Sequence, residues 1–334
     1  MPMTTLGDLS QLFQTQRDNV TLRTRLDTLT RELSTGQKSD LTRSLGSDSG
    51  RFAHIDRRLD LLASYTSATN ETAQVLAMTQ QALSALNSER ETLSADLLTA
   101  DFSASAAQRD NRMIQARASF NSMVEALNTR FANRFLLSGA ATDGPSVASA
   151  NDMITDIEAA VSGLTTRTDI EAALDTWFDD PTGGFATMGY IGDAGNPATS
   201  RIDETETVTF AARADNEEIR AVLKATVKSF IANGMGLNPT EEADLMRQGG
   251  LDLASAGEAL IHLSAQVGFV EARVEDIGVR HDAETTSLGI LRNEMTVADP
   301  YDTAAALQEL QVQLETHYAL TARLSRLSLA EFLR

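Results

Sequence analysis

Cysteine is absent from the chain, which excludes a disulfide framework and any thiolate metal site. Aromatic residues make up only 5% of it, so its cores have to be aliphatic and thin, as in helical bundles. Basic residues are scarce, 28 against 47 acidic for a net charge of −19. That balance is unsuited to a nucleic-acid backbone or an anionic membrane as partner. No stretch approaches the roughly 18 consecutive apolar residues of a membrane span. The opening MPMTTLGDLSQLFQTQRDNV also lacks the basic start and apolar run of a secretory signal. Taken alone this is a cytoplasmic profile, and export without a cleaved signal remains compatible with it.

Proline is sparse and acts as punctuation. The six are Pro2, Pro145, Pro181, Pro197, Pro239 and Pro300, with none between residues 3 and 144 or between 240 and 299. Two long helical regions therefore flank a middle that holds Pro145, Pro181, Pro197 and a cluster of glycines. Charge divides along the same lines. Residues 140–250 hold 19 acidic and 7 basic side chains, whereas residues 1–35 balance at 4 and 4. The 334 residues, 42% hydrophobic, suffice for two or three domains with cores.

The carboxyl end is the strongest helical signal. Asp299 is a good N-cap, Pro300 suits the first turn, and no Pro or Gly follows. Leu307, Leu310 and Leu314 share one face, and the stripe drifts to Leu320, Leu324 and Leu327, with His317 and Tyr318 at the changeover. Such a helix is about 50 Å long and wants another helix against it. A helix over Gly7–Leu33 mirrors it, with Leu22, Leu26, Leu29 and Leu33 at four-three-four spacing. It either folds onto a core of its own or pairs with the carboxyl end, and the matching lengths favour pairing of the termini.

Between these ends the pattern predicts helices over Phe52–Leu98 and Ala104–Leu136, then short ones over Asn151–Ser162 and Thr168–Phe178. TETVTFA, Thr205–Ala211, alternates as a strand, and Ala198–Asp203 can pair with it. Further helices run over Asn216–Ile231 and from a Thr240 cap to Met295, the latter with a composition that allows a break at Gly249-Gly250. The expected fold is mainly α: an elongated antiparallel helical bundle from the N- and C-terminal regions, with a small α+β domain inserted in the middle. Its parts would be a terminal coiled-coil assembly domain (1–45 plus 296–334), a long-helix bundle (46–140 plus 235–295) and a solvent-exposed insert (141–234).

No catalytic constellation is found. His54, His262, His281 and His317 are scattered, with no HExxH set, so surface or seam positions are expected. His281 beside Asp282 and Glu284 comes nearest to a metal site, without ligand spacing. The glycines Gly183, Gly184, Gly189 and Gly192 form no phosphate loop, and Ser138-Gly139 is no nucleophile elbow. Asp179-Asp180 before Pro181 reads as a helix exit. No catalytic residue, cofactor or metal is expected.

The two ends together resemble the flagellin family. Leu33-Ser34-Thr35-Gly36, a connector with Gly46-Ser47-Asp48-Ser49-Gly50, and a long second helix are similar to the flagellin amino-terminal region. Val267-Gly268 through Arg273, MTVADPYD over Met295–Asp302, Ala304-Ala305-Ala306 and Leu327-Ser328-Leu329 are similar to its carboxyl-terminal core. The likeness covers about residues 1–140 and 240–334, in order. The connector departs from the family in having Asp48 alone where paired aspartates and a proline are usual. Asn133–Pro145 resembles the pattern of the hook–filament junction group, the hook-associated protein 3 family, more than that of filament flagellins. The resemblance implies a non-enzymatic extracellular part of the bacterial flagellum, exported unfolded through the flagellar type III channel. Its implied partners are copies of itself in a ring, hook-associated protein 1 on the hook side, flagellin on the filament side and an export chaperone. The assembly seam would be Leu22, Leu26, Leu29 and Leu33 with Leu307, Leu310, Leu314, Leu320, Leu324 and Leu327. Alternatives are a filament flagellin and, from another class, a cytoplasmic coiled-coil adaptor.

Overall fold

The computed structural model describes the backbone of residues 6–100, 105–233, 235 and 237–332, with side chains within that range over residues 13–323. The chain is mainly helical, with two antiparallel sheets of two strands each among the described residues. In order come α1 (Leu6–Thr35), α2 (Leu41–Leu45), α3 (Ser49–Thr99) and α4 (Ala106–Leu127), then strands β1 (Arg130–Phe131) and β2 (Arg134–Phe135). Next are α5 (Ala150–Val161), α6 (Arg167–Asp179), strands β3 (Thr199–Arg201) and β4 (Thr207–Thr209), and α7 (Glu217–Lys228). Two long helices close the chain, α8 (Pro239–Thr296) and α9 (Pro300–Phe332). Contacts divide it into two compact units, residues 1–62 with 283–334 and residues 63–282.

The unit of residues 63–282 owns most of the buried apolar side chains. Leucines 76, 83, 86, 93 and 97 from α3 meet Leu253, Leu260, Leu263 and Val267 from α8 in one continuous core. That core continues through Phe120, Met123 and Leu127 of α4 into α5, α6 and α7. Its aromatic centre is small. Trp177 and Phe178 pack edge to face at 4.5 Å between ring centroids, Phe185 joins both, and Phe120 meets Phe230 at 5.9 Å. The Trp177 indole donates to Asp156 Oδ2 at 2.7 Å, which satisfies its one polar atom.

Glycine does not interrupt α8 at Gly249-Gly250, whose composition allows a break; the helix runs straight through. The two glycines serve close packing instead. A Cβ on Gly250 would lie 2.8 Å from Leu97 Cβ, and one on Gly249 would lie 2.9 Å from the Ala225 carbonyl oxygen. About two turns further on, Gly257 leaves room for the Arg90 guanidinium, which donates to the Leu253 carbonyl at 2.9 Å. Ser94 Oγ donates to the Gly250 carbonyl at 2.9 Å. Small residues and side-chain-to-backbone bonds thus hold α3 and α8 close here.

Three helix boundaries differ from expectation. The helix expected to reach Leu136 ends at Leu127, because Asn128 caps it and its amide turns to bond the Val147 backbone in both directions. The chain then turns as the β1–β2 hairpin, pairing Arg130 with Phe135 and Phe131 with Arg134. Its turn places Ala132 at φ 47° and Asn133 at φ 63°, the positive values that two-residue hairpins require. Helix α6 is capped by Thr166 rather than Thr168, with the Asp169 amide on its hydroxyl. Helix α8 is capped by Asn238 rather than Thr240, since Asn238 Oδ1 accepts from the Glu241 amide at 2.9 Å. The β3–β4 pair forms in antiparallel register, Ser200 opposite Val208, as the alternation predicts, though each strand is only three residues long.

Candidate assembly surface

In the unit of residues 1–62 and 283–334, α1 packs along α9. Leu310 and Leu314 are buried in this contact, and Leu22, Leu26, Leu29 and Leu307 are half-buried. Leu33 and Leu320 are 41% and 54% exposed. The side chains of Leu324 and Leu327 lie outside the described residues. The structure thus gathers six of the ten seam leucines and leaves two of them facing solvent.

The expected end of α1 and the expected start of α9 meet. Gly36, at φ 69°, closes α1 in the left-handed conformation that suits glycine. The chain then pairs with the α8–α9 joint: the Lys38 amide donates to the Thr296 carbonyl at 2.8 Å, and the Ala298 amide donates to Gly36 at 2.9 Å. Glu32 reaches past the turn to accept from the Ser39 amide at 2.8 Å. On the other strand of this joint Asp299 caps α9, accepting from Tyr301 and Asp302, with Pro300 in the first position. The stretches 33–36 and 295–302, some 260 residues apart in sequence, are therefore one structural element.

Polar contacts that sequence pattern does not disclose join the same helices. Arg23 donates twice to the Tyr318 hydroxyl, at 3.2 and 3.0 Å, and His317 Nε2 lies 3.2 Å from the Thr15 carbonyl oxygen. Further along the unit, Arg58 forms a two-point pair with Glu284 at 2.7 and 3.0 Å. Arg292 pairs with Asp56 at 2.8 Å while its guanidinium lies over the Phe52 ring. Outside the seam, large apolar side chains face water: Phe13 and Val20 are each 64% exposed, Val312 is 62% and Tyr301 82% exposed. These exposed side chains make the paired helices the candidate assembly surface.

The stretch 133–145 lies in the other unit and staples loops together. The Phe135 amide donates to Thr142, the Ala140 amide to Asn196 and the Asp193 amide to Ser138, all within 3.0 Å. Gly139, at φ 63°, approaches the Asp193 and Asn196 carbonyls where a Cβ would collide. Beside it a cavity of about 140 Å³ is lined by Glu71, Thr72, Arg134, Phe135 and Ser200 among others.

The candidate reactive residues named from the sequence fall at separate places among the described residues. No group of three or more potential ligands could hold a metal there. His281, expected at a surface or seam, is buried between α8 and α3, stacked on Tyr65 with its Nε2 3.4 Å from Asp203 Oδ2. Asp179 pairs with Lys224 at the end of α6. Asp180 accepts from the Thr182 hydroxyl and amide, which holds its carboxyl below the usual range.

The fold defines a class of mainly helical chain whose two terminal helices pair while the intervening sequence closes its own core. No protein-family model matches the chain, and no curated protein matches it in sequence. Solved structures do match. One is a protein from Vibrio parahaemolyticus provisionally described as a flagellar hook-associated protein, with a TM-score of 0.52 and 11% identity. The match covers 75% of this chain and 97% of that one. At this identity the likeness is one of fold.

Proposed function

We propose that this chain is a non-enzymatic structural subunit of the bacterial flagellum, of the hook-associated kind, and that it forms the junction between the hook-associated ring and the flagellin filament. The observation that carries the reading is the fold shared along nearly the whole length of the hook-associated neighbour. The paired terminal helices support it, because they join the two motif-bearing ends of the chain and leave apolar side chains for neighbouring subunits to cover. In this role copies of the chain stand side by side in a ring, with hook-associated protein 1 below and flagellin above. Export proceeds unfolded through the flagellar type III apparatus, with a chaperone holding the ends. Covering each exposed large apolar side chain contributes about 1.5–3 kcal/mol before ordering costs.

Deleting the gene tests the proposal. The expected cells carry hooks without filaments and release flagellin into the medium, and immunogold labelling of sheared appendages in the parent places the chain at the hook end. Normal filaments in the deletion strain overturn the junction role. Label along the whole filament makes the chain a flagellin instead.

A further inference from the structure

The charge of the chain is divided between its units. Residues 63–282 hold 32 acidic and 15 basic side chains, whereas residues 1–62 with 283–334 hold 15 acidic and 13 basic ones. In the acidic unit an open groove of about 410 Å³ lies between α3 and α8, lined by Thr69, Asn70, Glu271, Glu275, Val279 and Asp282 among others. Its three carboxylates have no ion pair or hydrogen bond among the described residues. Thr69, only 4% exposed, lines this groove with a hydroxyl that has no hydrogen-bond partner. Buried hydroxyls are normally satisfied, so an unmet one at a groove marks a place where a partner is missing. Val279 on the groove wall and Ile261 five turns earlier on the same face of α8 are 63% and 58% exposed.

The matching surface is on α1. Phe13, Arg17, Val20 and Arg31 share the face opposite Leu22, Leu26 and Leu29 at the helical period. Phe13 and Val20 are exposed there, and Arg17 and Arg31 have no side-chain partner among the described residues. A strip of two apolar and two cationic groups thus answers a groove with one exposed valine on its wall and three anionic groups. A guanidinium can bridge a carboxylate and a hydroxyl oxygen with its fixed fork of donors.

We infer that the α3–α8 groove receives the outward face of α1 from a second copy of this chain, so that copies join head to tail. Two grooves cannot face each other, since that would oppose like charges. An interface between two different patches propagates as a ring or a helix unless two copies exchange both contacts reciprocally. The inference rests on the proposed structural role only in supposing that copies meet.

Because the chain has no cysteine, introduced thiols report contacts without background. Full-length V20C and V279C proteins, mixed and treated with a short bismaleimide, are expected to give a heterodimer at least about fivefold above that from V20C with I114C, an exposed control on α4. Adding E271K/E275K to V279C should return the yield to the control level. Adding R17E/R31E to V20C as well should restore it, a rescue that general stickiness or misfolding does not produce. Yields equal to the control, a dominant V279C homodimer, or indifference to the charge changes would each overturn the inference. A chain that cross-links in this way while filaments grow normally without its gene keeps the inference and loses the flagellar reading. Absent cross-links with hooks left bare do the reverse.

Discussion

The two units bury apolar surface very differently. Among the described residues, the one made of both chain ends buries six apolar side chains, Leu45, Ile55, Leu62, Ala298, Leu310 and Leu314, and all the other buried ones belong to residues 63–282. The exposed large hydrophobics lean the other way, with ten in the terminal unit and seven in the central one. A unit that closes its own core is stable alone, whereas one that spends its leucines on a two-helix seam gains most of its stability from neighbours. The central unit thus holds a core of its own, and the terminal unit rests on far fewer buried side chains.

Trp177, the sole tryptophan, sits in the central core and makes unfolding of that unit separately visible by fluorescence. Phe178→Ala has the largest expected effect, because it empties a fully buried aromatic site and should cost the central transition about 3–5 kcal/mol. A loss under about 1 kcal/mol would mean that this core is not what holds the unit together.

Gly250→Ala comes second. Helix propensity alone favours alanine by about 1 kcal/mol, but the added methyl must displace Leu97, and overpacking of this kind costs about 1–3 kcal/mol. The expected outcome is a net destabilisation of the same fluorescence transition. Stabilisation by the full propensity gain would show that α3 and α8 are not in close contact at this point.

Lys224→Met should have a smaller effect with a distinctive pH dependence. Burial works to lower the Lys224 pKa, but hydrogen bonds to Asp175 and Asp179 outweigh it and raise the pKa above 10.5. Its contribution is therefore fully present below pH 10.5 and is lost as the pH rises through the folded-state value. The variant should be less stable than the parent by roughly 0.5–1 kcal/mol at neutral pH. That gap should close in strongly alkaline denaturant titrations, and a gap that widened there would contradict the pairing.

Leu314→Asp should leave the central fluorescence transition unmoved, within about 0.5 kcal/mol. A buried unpaired charge is costly where it sits, so brief trypsin digestion should cut faster at Arg17, Arg23 and Arg25 of α1. Central melting shifted by this substitution would break the contrast between the units.

The terminal pairing was legible because leucines at three- and four-residue spacing announce a helix face, and because Asp299-Pro300 and Gly36 carry their own boundary chemistry. Other features were not legible for a common reason: they depend on partners distant in sequence. Gly249-Gly250 has the composition of a helix break, and only the approach of Leu97 and Ala225 explains why the helix continues. Phe131 fits the α4 stripe until Asn128 bonds Val147 and ends the helix early. The drift of the stripe near His317 and Tyr318 was visible, but not that these two side chains reach Thr15 and Arg23. The α3–α8 groove was invisible as well, since its carboxylates come from several turns of α8 and its hydroxyl from α3.

Two smooth helices lined with leucine can slip past each other by one heptad, about 10.5 Å, and still present leucine to leucine. The two bonds from Arg23 to the Tyr318 hydroxyl have no phenol to meet one heptad along, where Gln311 or Ser325 stands. They act as a key in a shaft. A slipped pair would lose both bonds while keeping much of its greasy contact, so the polar contacts choose the alignment even though the leucines supply most of the adhesion.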